Sequence, residues 1–145
     1  MTINMHPGMK EFNRIFKEYN HIYHDIALKL GLSDSGFDIL YTICDIGNGC
    51  LQKDICEATR LSKQTVHSSV CKLEKDGYLF LKPGKGRNMQ IFLTPSGNTL
   101  IEEKIAPAVQ AENLAFTHMT EEEQGEFLRL NKKYAEGLRK YASQI

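Results

Sequence analysis

The sequence predicts a mainly α-helical protein with a small antiparallel β-wing, in which a winged helix-turn-helix is flanked by helices at both ends. Three observations lead to this fold class. Apolar residues recur at helical spacing through most of the 145 residues. A helix with an N-cap and a glycine stop lies in the middle of the chain. Two short β-prone runs, joined by a basic and glycine-rich loop, follow that helix.

Six helices are expected from apolar periodicity, capping residues and proline or glycine stops. Their expected spans are 7–30, 33–46, 52–59, 62–76, 95–118 and 121–142. Ser62, Thr94 and Thr120 are the expected N-caps of the last three, because a hydroxyl oxygen can accept a hydrogen bond from an unpaired amide of the first turn. Pro107 is expected to kink the helix over 95–118.

The helix over 62–76 combines an apolar stripe with a polar face. Val66, Val70 and Leu73 recur at helical spacing and form the stripe. The other face carries short or hydrogen-bonding side chains that suit base edges in the major groove, where Gln64 can pair with adenine. The residues of this helix predicted to contact DNA are Ser62, Lys63, Gln64, Thr65, His67, Ser68 and Lys72. A solvated face on an ordinary surface helix is the alternative interpretation.

The wing is predicted from the β-prone runs 78–81 and 89–93. The intervening loop, 82–88, holds three cations and no carboxylate. Glycine lets a backbone approach another molecule closely, and Arg is favoured in the minor groove of DNA. We therefore expect phosphate or minor-groove contacts from Lys82, Lys85 and Arg87. A nucleotide-phosphate cradle is the rival interpretation, but the strand–GxxxxGK[ST]–helix pattern is missing.

Charge is unevenly distributed along a chain whose formal net charge is +0. Residues 52–94 contain eight Lys and Arg against four Asp and Glu, whereas the remainder contains ten against fourteen. Such segregation is the electrostatic footprint of a polyanionic partner. Double-stranded DNA is therefore the expected partner. A winged-helix module that binds another protein without touching DNA is the alternative.

Four segments, in order, resemble the MarR (multiple antibiotic resistance regulator) family of bacterial transcription regulators. SDSGFDILYTI (33–43) resembles the second helix of the family, and QKDICEATRLSKQTVHSSVCKLEKDGYL (52–79) its helix-turn-helix. GKGRNMQIFLTPSG (84–97) resembles the wing and the start of the long helix that follows, and TEEEQGEFLRLNKKYAEGLRKY (120–141) resembles the final helix. The resemblance covers nearly the whole chain. It implies a sequence-specific repressor that acts as a homodimer on a near-palindromic operator.

One position departs from the family pattern. Family wings usually carry an Asp two residues before the wing Arg, and that Asp often helps to fix the Arg. Here Lys85 stands at the position of the Asp and Arg87 at that of the Arg. We therefore expect a wing that is held differently, through its glycines.

The resemblance also implies a dimerisation module and a regulated crevice. Within a single domain over 1–145, residues 1–32 and 98–145 are expected to form the dimerisation helices around a DNA-binding part over 33–97. Their apolar stripes are too extensive to be left solvated. Family members often release DNA when a small aromatic or phenolic effector enters a crevice beside these helices. The candidate lining residues are Phe16, Tyr19, Tyr23, Phe37 and Tyr41, which are core aromatics in the alternative interpretation.

The four cysteines, Cys44, Cys50, Cys56 and Cys71, form no CxxC pair and do not meet zinc-finger spacing. Cys44 and Cys56 are expected to be small core residues, Cys50 to lie at a turn and Cys71 to face outward from the 62–76 helix. A thiol-based redox-sensing regulator is a further alternative, but redox-sensing members of the resembled family keep the reactive cysteine near the N-terminus, where this chain has none.

Metal and catalytic interpretations find little support. Glu18 and His21 form one Glu-x-x-His, but a di-iron bundle needs a second, which the chain lacks. There is no G-x-S-x-G elbow. We therefore expect neither an enzyme nor a protein that needs a metal or other cofactor. No apolar run is long enough to span a bilayer and no secretory signal is present, so a cytoplasmic bacterial protein is expected.

Overall fold

The computed structural model describes residues 3–145, which form two compact units, one ending at Ala106 and the other beginning at Pro107. Most of the first unit is helical. Its first four helices are α1 (Pro7–Lys29), α2 (Asp34–Ile46), α3 (Gln52–Thr59) and α4 (Lys63–Lys75). Each lies within one residue of its predicted span, so these four predictions are confirmed.

The helix starts follow the capping residues in the sequence. The Ser62 hydroxyl accepts the backbone N–H of Thr65 at 3.1 Å, and the Thr94 hydroxyl accepts that of Gly97 at 3.0 Å. At the start of the last helix, Thr120 and Glu123 cap each other, with bonds of 3.1 and 2.9 Å. Side-chain oxygens thus satisfy amides that the first turn of a helix leaves unpaired.

Three antiparallel strands form the sheet, in the order β1–β3–β2. β1 (Cys50–Leu51) precedes α3, whereas β2 (Leu79–Pro83) and β3 (Met89–Leu93) form the wing. The prediction for β3 is confirmed and β1 was not predicted. The prediction of a strand over 78–81 is wrong at both ends. Tyr78 lies outside β2 because its N–H donates a hydrogen bond of 2.9 Å to the carbonyl of Leu73, which terminates α4.

The core of the first unit lies between α2, α3, α4 and the inner face of the sheet. Ser35 of α2 and Ser69 of α4 are joined across this packing by their hydroxyls, 2.8 Å apart. The largest fully buried side chains of the described residues are Ile39, Leu40, Ile43, Ile55, Val66, Val70, Leu79, Ile91 and Ile105. The apolar stripe predicted for α4 therefore faces the core, which leaves the opposite side of this helix exposed.

The prediction of a single α-helix over 95–118 is wrong in the interior of that span. The chain forms α5 (Pro95–Leu100), a π-helix (Ile101–Ile105) and α6 (Ala106–His118). The N–H of Ala106 bonds to the carbonyl of Ile101, five residues earlier, which is the π-helical pattern. Pro107 follows at once and has no backbone N–H with which to resume the α-helical pattern.

The second unit contains α6 from Pro107 onward and α7 (Glu121–Ala142). The prediction of a helix over 121–142 is confirmed. The rings of Phe116 and Phe127 meet edge to face, with centroids 6.5 Å apart. Within residues 3–145, no helix combines the length and the apolar character that crossing a membrane requires.

Candidate DNA-binding surface

The outward face of α4 carries the side chains that the sequence singled out. Val66 and Val70 are 0% exposed and Leu73 is 6% exposed, so this side of the helix is fixed against the core. The opposite side is open to solvent. The candidate residues Ser62, Lys63, Gln64, Thr65, His67, Ser68 and Lys72 are all exposed. The structure thus brings the candidates of this helix together on one accessible face.

At the start of α4, two hydroxyls are joined. Ser62 Oγ accepts the N–H of Thr65 and donates its own proton to Thr65 Oγ1, 2.9 Å away. Ser62 is therefore engaged as the cap, while the orientation of the Thr65 hydroxyl is fixed by that bond. Both groups stand at the N-terminus of a helix, where the helix dipole favours an anion such as a phosphate group.

The turn between α3 and α4 relies on an uncommon backbone conformation. Arg60 has φ 61°, and it is the only non-glycine residue with positive φ among the described residues. Its N–H bonds to the carbonyl of Cys56 at 3.0 Å, and Thr59 Oγ1 accepts the N–H of Leu61 at 3.2 Å. This turn sets the start of α4 after α3. No sequence pattern predicted this left-handed residue, because glycine usually occupies such a position.

The loop at the tip of the wing is closed by Gly84 and Asn88. The Gly84 N–H donates to the Asn88 carbonyl at 2.8 Å, and the Asn88 amide donates to the Lys85 carbonyl at 3.4 Å. Gly86 provides the left-handed residue, with φ 69°. Lys85 and Arg87 are exposed, and within residues 3–145 neither forms an ion pair. As the departure from the family pattern led us to expect, no carboxylate of the described residues forms an ion pair with Arg87.

Lys82 does not lie in the loop, where the sequence had suggested it. It is part of β2, opposite Gln90 of β3. Its Nζ lies 5.5 Å from the ring centroid of Phe80 and 5.3 Å from that of Phe92. The placement is a correction to the predicted loop boundary, whereas contact of Lys82 with DNA stays a prediction.

Sequence reasoning missed the residues that anchor the base of the wing. Asn48 Oδ1 accepts the N–H of Leu93 at 2.8 Å, and the Gly49 N–H donates to the carbonyl of Ile91 at 2.8 Å. The Gln90 amide donates to the Gly49 carbonyl at 3.3 Å. The only local signal was the Gly-Asn-Gly turn sequence, which predicts a turn but not its partner.

The five candidate effector residues are not gathered into one pocket. Tyr23 and Phe37 have ring centroids 6.4 Å apart, and Phe37 and Tyr41 have centroids 6.0 Å apart. Phe37 is 3% exposed, so this trio reaches into the core. Phe16 and Tyr19 are exposed on α1, and Phe16 meets the ring of Phe12 at 6.3 Å. Cavities of about 570 and 260 Å³ are lined by residues other than these five.

The cysteines depart from expectation in three places, one of which is Cys56, which is half-buried rather than in the core. Cys44 is exposed rather than in the core, because it lies on the outer side of α2. Cys50 is buried in β1, where burial and then the nearby Asp54 carboxylate raise the pKa of its thiol. That thiol therefore stays protonated at neutral pH, which disfavours thiolate chemistry. Cys71 faces outward as expected, with its Sγ 3.6 Å from His67 Nε2.

A buried apolar stripe and an exposed polar face on α4, with a basic wing after it, define a winged helix-turn-helix, the class of fold that many DNA-binding regulators use. The model of the MarR family matches residues 30–87, which run from the end of α1 to the wing tip. Residues 30–87 are therefore similar to the MarR family, whose members are DNA-binding transcription regulators. A comparison with curated proteins found no match.

Solved structures share this fold. NMB1585, a MarR family regulator from Neisseria meningitidis, is 23% identical with a TM-score of 0.79, and the match covers 97% of this chain and 99% of that one. MepR from S. aureus, solved in complex with DNA, is 20% identical with a TM-score of 0.72, and 93% and 99% are covered. BpsR from Bordetella bronchiseptica, whose DNA binding is regulated by 6-hydroxynicotinic acid, is 21% identical with a TM-score of 0.67, and 92% and 99% are covered.

Proposed function

We propose that this protein is a repressor that acts as a homodimer on a near-palindromic duplex in the cytoplasm. In this proposal α4 enters the major groove, and Lys85 and Arg87 of the wing contact the backbone or minor groove beside it. The observation that carries the proposal is the exposed polar face of α4, next to wing cations that no carboxylate neutralises in the described part of the chain.

Exposed apolar side chains support the homodimer. On α1, Ile15, Phe16 and Ile22 are between 39% and 53% exposed. On α7, which buries no residue, Leu138 and Tyr141 are 55% and 65% exposed. Soluble proteins rarely leave such stripes in water, and a second copy is the partner that every chain has available. Two-fold pairing would set two α4 helices about one duplex turn, ~34 Å, apart.

In this proposal the protein represses transcription by occupying its DNA site. A dimer bound across two half-sites covers both grooves of the duplex and keeps other proteins from the same stretch of DNA. Ser62 and Thr65, at the positive end of the α4 dipole, and Lys72 would contact phosphates and set the register. Gln64, with His67 beside it, would read base edges.

Release by a small aromatic or phenolic molecule is the regulation that we propose. The trio of Tyr23, Phe37 and Tyr41 joins α1 to α2, so a ligand among these rings would change how the dimerisation helix meets the DNA-binding part. The ligand needs only to bind the released state better than the DNA-bound state. BpsR, which shares the fold, is regulated by such a molecule, 6-hydroxynicotinic acid.

The test of DNA binding is selection from a random pool of duplexes with the purified protein. We expect an enriched motif with two-fold symmetry and an affinity that falls steeply with salt, because phosphate contacts release counterions. Retention of no duplex at low salt would overturn the proposal. An affinity for another protein that ignores salt would identify the winged helix as a protein-binding module instead.

A further inference from the structure

Two phenylalanine rings on the outer face of the wing hold the side chain of Lys82. Phe80 and Phe92 are directly opposite each other in β2 and β3, and their rings are stacked with centroids 5.4 Å apart. The Lys82 ammonium lies within 5.5 Å of both centroids. Distances below about 6 Å allow the negative face of a ring to attract a cation. The ammonium is therefore held by two rings at once.

The rings themselves have a rigid support. A Cβ atom at Gly49 would lie 3.3 Å from the Phe92 ring, so that ring packs directly on the Gly49 backbone. Gly49 is in turn bonded to the carbonyl of Ile91 and to the amide of Gln90. Gln90 stands opposite Lys82 but bonds to Gly49 instead. The connection before β1 thereby supports the Phe92 ring and, through it, the stacked pair.

The rings restrict the Lys82 side chain without neutralising its charge. Lys82 is exposed, and within residues 3–145 it has no ion-pair partner. A free lysine loses much of its rotamer freedom when it binds an anion, and a side chain that is already ordered loses less. The charge also stands at the end of β2, beside the loop that carries Lys85 and Arg87.

We propose that Phe80 and Phe92 are positioning residues that hold the Lys82 ammonium for a DNA phosphate beside the wing tip. This inference rests on the proposed function of the protein. In it the rings themselves need not touch DNA: they act through Lys82, and their effect on affinity exists only while that ammonium is present.

A double-mutant cycle tests this dependence. Phe80→Ile, Lys82→Ala and the double variant are compared with the parent protein for affinity to a selected duplex over a salt series. Ile retains the preference for a strand but removes the ring. We expect Phe80→Ile to weaken binding by roughly two- to fivefold in the parent and to have no effect in the Lys82→Ala background. Lys82→Ala should reduce the salt slope by about one contact per subunit.

Phe80→Tyr is the matched control, because it keeps the ring and should retain the parent affinity. Equal losses from Phe80→Ile with and without Lys82 would show that the ring acts on the fold alone and would overturn the inference. An unchanged salt slope in Lys82→Ala would overturn it as well, since the ammonium would then contact no phosphate. If the parent binds no duplex at any salt concentration, the proposed function fails and the inference fails with it.

Discussion

Gly97 of α5 packs directly against the backbone carbonyl of Tyr78 and leaves no room for a Cβ atom. The same carbonyl accepts the N–H of Thr94 at 3.1 Å, and the Thr94 hydroxyl donates to the carbonyl of Gly77 at 2.6 Å. The first turn of α5 is therefore locked onto the connection between α4 and β2. This contact links the end of the proposed recognition helix to both strands of the wing.

Gly97→Ala should lower the free energy of unfolding by about 1–3 kcal/mol, because the added methyl group must displace backbone rather than a flexible side chain. Urea denaturation measures the change. Gly125→Ala in α7 is the control, since open space surrounds Gly125 and alanine favours a helix. Equal behaviour of the two variants would contradict the close contact at Tyr78.

Substitutions on α4 should separate base reading from phosphate contact. Gln64→Ala and His67→Ala should relax base preference at one position of each half-site, with a cost of about 1–3 kcal/mol for the preferred base. Thr65→Ala should weaken binding to all sequences evenly. Ser62→Ala should do the same and also destabilise the fold by about 1 kcal/mol, since it removes the cap. Binding of a panel of single-base variants decides between these outcomes, and a preference that survives Gln64→Ala would remove this residue from base reading.

The wing should contribute charge and not base selectivity. The Lys85→Ala, Arg87→Ala double variant should bind more weakly and reduce the salt slope by about two contacts per subunit. The motif selected from a random pool should stay the same. The Lys132→Ala, Lys133→Ala double variant in α7 removes the same number of charges outside residues 33–97 and serves as the control. A salt slope equal to that of the parent would place the wing tip outside the interface.

Cys71 offers a direct footprint of the outer face of α4. Because its thiol is exposed beside His67, an alkylating reagent should modify it in the free protein. The selected duplex should protect Cys71, whereas Cys44 on the outer side of α2 should react equally with and without DNA. Peptide mass spectrometry measures both rates. Unchanged alkylation of Cys71 in the complex would mean that this face of α4 does not meet DNA.

If a small-molecule effector releases the protein from DNA, its effects on thermal stability and on duplex affinity should occur together. A phenolic acid or hydrophobic cation that raises the thermal midpoint should also lower duplex affinity, and a tenfold shift of a balanced equilibrium needs about 1.4 kcal/mol of differential binding. Tyr23→Leu should weaken both effects together, because it removes one ring of the trio with Phe37 and Tyr41. A ligand that stabilises the protein and leaves duplex affinity unchanged would reveal a pocket without a switch.

Most of the helical fold could be predicted because its signals are local. A hydroxyl such as that of Ser62 caps the helix that begins at the next residue, and Val66 and Val70 reveal the buried face by spacing alone. Two features, β1 and the π-helix, could not be predicted from local sequence. β1 consists of two residues whose partners include Ile91, and no pattern of two residues can indicate a strand. The π-helix depends on hydrogen bonds that reach five residues back instead of four, and no residue pattern in the sequence predicts this change. Pro107 indicated only that the α-helical hydrogen bonding would be interrupted nearby.

In the candidate DNA-binding surface, too, only the part that depends on local sequence could be predicted. Side chains on the open face of α4 follow from helical geometry once Val66 is known to face the core. The position of Lys82 does not, because it depends on rings of two strands that meet only after the hairpin closes. Asn48 and Gly49 anchor the base of the wing because they precede β1, whose pairing with β3 could not be predicted.

The order of the three strands has a consequence for solubility. β3 is central, so the two edge strands of the sheet are β1 and β2, and β1 is only two residues long. The other edge is that of β2, where Lys82 and Pro83 stand near the hairpin end. A proline offers no N–H to an incoming strand, and a lysine charge disfavours one. The hairpin is thereby protected from pairing edge to edge with a neighbouring molecule, which would otherwise lead to aggregation.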